Sequence, residues 1–234
     1  MHAVAIILAR GGSKGIPRKN LLPFCGQPLL AWTVQQCAAA AGVDSVWVSS
    51  DSDEILEVGA HFGARPIVRP PACSGDDATS EAAWRHAVDY LEGQGVPVDV
   101  VVAPQVTSPV REPVDVENGL ARFRAGACDS LFSASIRDDM LFWRKDAEGR
   151  LHSINYDHRN RKRRQDCGHQ YIENGSLYMF TPHVLRTFGN RFGDRIACTE
   201  MEFWKVFEID EPEDVPLCEA IMRQFLLNPE RRRT

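Results

Sequence analysis

Ala3-Val4-Ala5-Ile6-Ile7-Leu8-Ala9-Arg10-Gly11-Gly12-Ser13-Lys14-Gly15-Ile16-Pro17-Arg18-Lys19-Asn20 is the stretch whose reading decides the fold. Residues 3–8 are apolar without interruption, so neither face of that segment suits water. A strand buried on both faces belongs in the middle of a parallel sheet. The apolar run ends at Arg10 and gives way to a loop holding three glycines and four cations, Arg10, Lys14, Arg18 and Lys19. Such a loop leaves the carboxyl end of the strand, where open α/β sheets place their ligands. Glycines allow close backbone approach, so Gly12 and Ser13 together with the cations suit a polyphosphate. Gly11, Gly12 and Gly15 fit neither GxGxxG nor GxxxxGK[ST], which demotes dinucleotide binding and Walker-type chemistry. The competing reading of the loop is a solvated basic turn.

Outward from this strand the pattern alternates. Leu30, Val34, Cys37, Ala38 and Ala41 recur at helical spacing behind Pro28, and the helix ends near Gly42. Val46–Ser50 reads as a second strand, with Asp51 or Ser52 placed to cap a helix carrying Ile55, Leu56 and Val58. A short strand at Arg65–Val68, a helix from Thr79 to Leu91 and a strand at Val98–Ala103 follow. This repetition predicts an α/β fold with a doubly wound, mainly parallel sheet. Residues 137–170 break the rhythm, and Tyr156–Arg164 is crowded with cations, which reads as an arm leaving the sheet. Tyr171–Phe180 returns as a strand, Glu213–Leu226 as a helix. The expected organisation is one α/β domain of residues 1–136 and 171–228, an inserted arm at 137–170 and a charged tail at 229–234.

Composition narrows the classes. The 234 residues are 44% hydrophobic and 25% charged, with a net charge of -5 and a pI near 5.8, so a nucleic-acid binder is disfavoured. No apolar run reaches the roughly 20 residues needed to span a bilayer. The N-terminal run has no basic flank and reads as a strand rather than a signal peptide. Seven cysteines stand singly, none at CxxC spacing, so reduced thiols and a cytoplasmic location are expected and a zinc site is not.

Several later stretches can carry chemistry. Arg69 precedes two prolines that fix a rigid turn, and it could contact a nucleotide or form a surface ion pair. Gln105 follows a strand directly, at the same sheet edge as the first loop, which favours function over a plain turn at Ser108-Pro109. Arg164 could grip a carboxylate with two prongs or belong to a solvated basic run. Tyr178 lies on an apolar strand, as a ligand contact or as a core tyrosine with a satisfied hydroxyl. At Phe207-Glu208-Ile209-Asp210-Glu211, alternation puts Glu208 and Asp210 on one face and Ile209 in the core. Two adjacent carboxylates are the hard oxygen ligands that Mg²⁺ takes, whereas Glu213 and Asp214 suit an acidic helix N-terminus. His86, beside Trp84 and Tyr90, reads as packing, and no His sits in a pattern suited to covalent catalysis.

The segment 8–20 closely resembles the opening signature of the acylneuraminate cytidylyltransferases, the CMP-sialic acid synthetases. The resemblance continues at Ser49-Ser50-Asp51, Arg69-Pro70, Gln105–Arg111, Arg164-Gln165-Asp166, Glu173–Tyr178 and Glu208-Ile209-Asp210, in order along nearly the whole chain. It implies a Rossmann-like nucleotidyltransferase fold of three layers, a homodimer formed through a protruding arm, and Mg²⁺-dependent activation of a nine-carbon nonulosonic acid with CTP. By the same resemblance Arg10, Lys14, Lys19 and Asn20 would bind CTP, with Arg10, Lys19 and Asp210 catalytic. Thr107 and Ser108 would lie near the nucleotide. Gln105, Arg164 and Tyr178 would meet the sugar acid, and Asp210 and Glu208 the metal. Arg18 has no counterpart in the pattern, and Glu208 stands where the family has the first Asp of Asp-Ile-Asp. The rival readings are a cytidylyltransferase for the eight-carbon acid Kdo and a non-catalytic nucleotide-binding protein.

Overall fold

The N-terminal apolar run forms β1 (Ala3–Leu8), and its side chains alternate between two cores. Ala3, Ala5 and Ile7 enter one, Val4 and Ile6 the other. This computed structural model describes residues 1–13, 15–75 and 78–228, without the side chain of Arg164. The expectations for Lys14, for the Arg164 side chain and for the 229–234 tail therefore lie outside the described residues.

After β1 the chain makes a short ribbon of β2 (Pro23–Phe24) and β3 (Gln27–Pro28), then α1 (Leu29–Ala39), β4 (Ser45–Ser50), α2 (Asp53–His61) and β5 (Arg65–Val68). Next come α3 (Ser80–Gly93), β6 (Val100–Pro104), α4 (Pro113–Arg124) and β7 (Ser130–Ile136). A hairpin of β8 (Trp143–Lys145) and β9 (Leu151–Ser153) precedes β10 (Tyr171–Phe180). The chain closes with α5 (Pro182–Phe188), β11 (Ile196–Glu200), α6 (Asp214–Ile221) and a π-helical turn at Met222–Leu226.

Seven strands form one sheet in the order β11-β7-β10-β6-β1-β4-β5. β1 pairs in parallel with β4 and β6, β4 with β5, and β7 with β11. β10 runs against both its neighbours, β6 and β7, so the sheet is mainly but not wholly parallel. On one face Leu30 and Val34 of α1, Ile55 of α2, Leu120 of α4 and Cys218 of α6 pack together. On the other, Trp84 and Leu91 of α3 join Val184 and Leu185 of α5. Each such buried side chain stabilises the fold by roughly 1.5–3 kcal/mol. The result is the expected three-layer α/β architecture.

Some local expectations are corrected. Ser52 does occupy the N-cap of α2, but neither it nor Asp51 caps with its side chain, because Asp51 Oδ1 accepts instead from the Gly11 N–H at 2.8 Å. Residues 207–211 form no strand; they make an extended strap whose Ile209 N–H donates to the Thr107 carbonyl at 2.7 Å. Thr79 caps α3, accepting from the Ala82 N–H at 3.2 Å. All seven cysteines are free thiols, and no helix among the described residues is long and apolar enough to cross a membrane. Residues 137–170 leave the sheet between β7 and β10, carry the β8–β9 hairpin, and expose Phe142, Trp143, Leu151 and Ile154.

Candidate functional site

The carboxyl ends of β1 and β6 open onto a cavity of about 530 Å³. Arg10, Ser13, Gly15, Lys19 and Asn20 line it from the first loop, Arg69 from beyond β5, and Gln105 and Thr107 from beyond β6. The far wall is Trp84 and Ser80 of α3 with Arg191. Residues from five separate parts of the chain thus meet at the sheet edge, as the placement rule for α/β ligands requires.

The first loop is held by its own polar groups. The Ala9 N–H donates to the Ser49 carbonyl at 3.1 Å, and Asn20 Nδ2 donates to the Arg10 carbonyl at 2.9 Å. Asn20 therefore uses an amide proton to close the loop besides facing the cavity. Ile16 is buried in the core and anchors the loop's far end. A Cβ on Gly15 would stand 2.5 Å from the Asp210 carbonyl oxygen, so only glycine lets the loop pass this close to the strap. Arg18 points away and pairs with Glu54.

Arg69 is buried, not part of a surface ion pair. Its guanidinium donates to both the carbonyl and the hydroxyl of Ser49. Burial is the main force pushing it below the ordinary arginine value; Asp51 opposes that shift, and Arg10 adds to it. Two guanidiniums held in mutual repulsion at one cavity favour an anion between them.

Lys19 joins the loop to the acidic strap. Its Nζ donates to Asp210 Oδ1 at 2.9 Å and to the Ile209 carbonyl at 3.0 Å. The Asp210 side chain is 67% exposed and can turn toward an incoming ligand. Glu208 is in the opposite situation. Its carboxylate packs against Gly175, where a Cβ would stand 2.0 Å from Oε1, and it takes a hydrogen bond from Thr107. Burial first, and the Asp210 charge second, push the Glu208 carboxyl up to about 7. Ile209 between them is fully buried, as expected.

The donor chemistry here fits Mg²⁺ better than a closed metal cage. No group of three or more His, Cys, Asp or Glu that could hold a metal ion is found among the described residues. Mg²⁺ characteristically takes only one or two carboxylates, completing its shell with water and phosphate oxygens. Glu208 and the accessible Asp210 are a donor set of that kind.

β10 supplies a further support through a bulge. Glu173 opposes Ala134 but Tyr178 opposes Phe132, so the register slips by three residues across Asn174–Leu177. Gly175 takes a φ of +65° there, Asn174 accepts from the Ser133 hydroxyl, and Ser133 in turn accepts from the Leu177 N–H at 2.8 Å. The freed Ser176 carbonyl accepts from the Gln105 N–H at 3.1 Å and from the fully buried Arg111 at 2.6 Å. A bulge beside a site re-aims backbone and side chains.

Other expected residues fall elsewhere. Gly12 is exposed and does not line the cavity; Ser108 is buried, with its hydroxyl unpartnered. Tyr178 is only 4% exposed, its hydroxyl donates to Glu173, and Arg191 lies 4.6 Å above its ring. That is the core-tyrosine arrangement. Sequence reasoning missed Arg191, which also sits over Trp84 at 4.8 Å and pairs with Glu81 at 2.9 Å. A lone arginine after a helix carries no local signal; the Trp84 indole beneath it donates to the Ile6 carbonyl at 3.3 Å.

A family model described as cytidylyltransferase matches residues 4–130. The chain is 33% identical to the N-acylneuraminate cytidylyltransferase of Oncorhynchus mykiss over 96% of its own length and 51% of that protein's. It is 36% identical to the pseudaminic acid cytidylyltransferase of Campylobacter jejuni over 58% of this chain and 59% of the relative. The chain spans about half the length of the curated relatives it matches. Among solved structures it is similar to CMP:2-keto-3-deoxy-manno-octonic acid synthetase complexed with CTP, with a TM-score of 0.69 at 18% identity over 96% of this chain and 99% of the other, a likeness of fold. With the loop 8–20 in place and the family model covering more than half its length, the chain belongs to the cytidylyltransferase family.

Proposed function

We propose that this chain transfers CMP from CTP to the anomeric hydroxyl of a nonulosonic, sialic-type acid, releasing pyrophosphate. The observation that carries the reading is the cavity lined by Arg10, Arg69 and Lys19, with Lys19 paired to Asp210 on the strap that also bears Glu208. Cations suited to a triphosphate and carboxylates suited to its metal meet there across one ion pair. The names of the relatives from Oncorhynchus mykiss and Campylobacter jejuni support a nine-carbon acceptor.

In this reading the triphosphate lies along the loop of Arg10, Ser13 and Lys19. An incoming phosphate competes with Asp210 for Lys19 Nζ, so Asp210 is released toward the cavity as Lys19 turns to phosphate. Gln105, fixed through the Ser176 carbonyl, orients the acceptor. The acceptor hydroxyl gives up its proton to solvent water as its oxygen bonds to the α-phosphorus. The bond from that phosphorus to the oxygen bridging to the β-phosphate breaks in line, that oxygen leaving with pyrophosphate. Arg10 and Arg69 stabilise charge as it builds on the departing pyrophosphate. Mg²⁺, held by Asp210 and Glu208, would supply Lewis-acid neutralisation of the phosphate oxygens.

The test is pyrophosphate release with CTP and Mg²⁺ across nine-carbon acids and Kdo. Release with a nine-carbon acid is expected. Release with Kdo alone would assign the eight-carbon substrate, and CTP binding without turnover would favour the non-catalytic reading.

A further inference from the structure

Lys205 is 1% exposed, yet it is a cation in the protein interior. Its Nζ lies 2.8 and 2.9 Å from the two oxygens of Asp115, 3.0 Å from Glu112 and 2.8 Å from Glu202. Burial opposes its charge, but Asp115 and the other two carboxylates outweigh it and raise the ammonium above its ordinary value. A buried ion cluster of this kind is often no more stabilising than apolar side chains of the same volume, so stability alone does not account for it.

What the cluster joins is informative. Glu112 and Asp115 open α4, at the end of the segment that begins with Gln105 and Thr107. Glu202 is the N-cap and Lys205 a member of the 3-10 turn Phe203–Val206, which leads directly into the strap bearing Glu208 and Asp210. The two segments also meet at Thr107, whose carbonyl takes the Ile209 N–H and whose side chain bonds Glu208. The strap's remaining bonds run to other parts of the chain, from Lys19 to Ile209 and Asp210 and from the Asp210 and Glu211 amides to Asp214. The Lys205 cluster is thus the second direct tie between these two segments and fixes the angle between them.

We infer that Lys205 is a positioning residue: through Asp115 and Glu112 it fixes the acidic strap against the Gln105–Thr107 segment and so sets where Glu208 and Asp210 meet the substrate. The catalytic part of this inference rests on the proposed cytidylyl transfer, the geometric part does not. Removing Lys205 alone would strand a buried carboxylate, so the test uses Lys205→Met together with Asp115→Asn in the full chain. Hydrogen exchange at the Ile209 amide should quicken at least tenfold while the amides of β1 and β6 keep their protection. With CTP and the active acid, kcat should fall at least tenfold while KM for CTP stays within twofold. Unchanged Ile209 exchange would overturn the inference, as would exchange that quickens equally throughout the sheet or a double variant that does not fold. Those results would make Lys205 a matter of stability alone. Changed exchange with no turnover even in the unsubstituted protein would leave the geometry standing and remove the proposed reaction.

Discussion

Asp210 and Glu208 stand two residues apart in opposite environments, and that difference yields separate expectations. The Asp210 side chain is largely exposed and bonds only Lys19 among the contacts described, so Asp210→Ala should leave the melting temperature nearly unchanged. Turnover should drop by at least a hundredfold; retained turnover would remove Asp210 from the metal site. Glu208 carries its proton more firmly when folded, up to about 7 against an ordinary 4.5. Its contribution to stability is therefore full below pH 4.5 and is lost as pH rises through about 7. Allowing for its partial exposure, the loss is about 1–2 kcal/mol. Thermal melts without divalent metal should show a smaller decline over that range in Glu208→Gln; an identical decline would place the titration elsewhere. At this scale the sequence revealed what is locally patterned. Arg10 and Lys19 were legible because a basic, Gly-rich loop follows a fully apolar strand. Arg191 was not, since only tertiary folding brings it over Trp84 and Tyr178.

β10 carries the most consequential irregularity. Its apolar character was plain from Tyr171 to Phe180, but neither its direction nor its bulge could be read. Strand direction is set by which edges remain free once the parallel strands have paired, information that no single segment holds. The pair Asn174-Gly175 lies in the Glu173–Tyr178 stretch that carries the family resemblance, and its physical role is plain in the fold: glycine accepts the left-handed backbone while asparagine bridges to Ser133. The strap at 207–211 was misread for a related reason. Alternation of apolar and acidic residues fits a strand, but here one backbone hydrogen bond, from Ile209 to Thr107, replaces a ladder. Gly175→Ala should combine the φ strain with a Cβ overlapping the Glu208 carboxylate. A loss of roughly 1–3 kcal/mol in urea denaturation is expected, accompanied by lower kcat. Wild-type stability in that variant would show that Glu208 can move aside freely.

For the whole molecule, the alternating strands and helices were readable because each strand's burial and each helix's periodicity are local signals. The break in that rhythm at residues 137–170 falls where the chain leaves the sheet between β7 and β10 and forms the β8–β9 hairpin. Ile136 and Tyr171 pair across β7 and β10, so the arm starts and ends at adjacent points of the sheet. Replacing residues 139–168 by a short Gly-rich turn should therefore leave the core's cooperative unfolding intact, with a melting temperature within a few degrees. Loss of cooperative unfolding would show that the arm is part of the core instead. The proposed reaction is tested by following both of its products together. With CTP, Mg²⁺ and a nine-carbon sialic-type acid, pyrophosphate and a CMP-sugar should form in equal amounts. Pyrophosphate without the CMP-sugar, or neither product across the acids while CTP still binds, would contradict it.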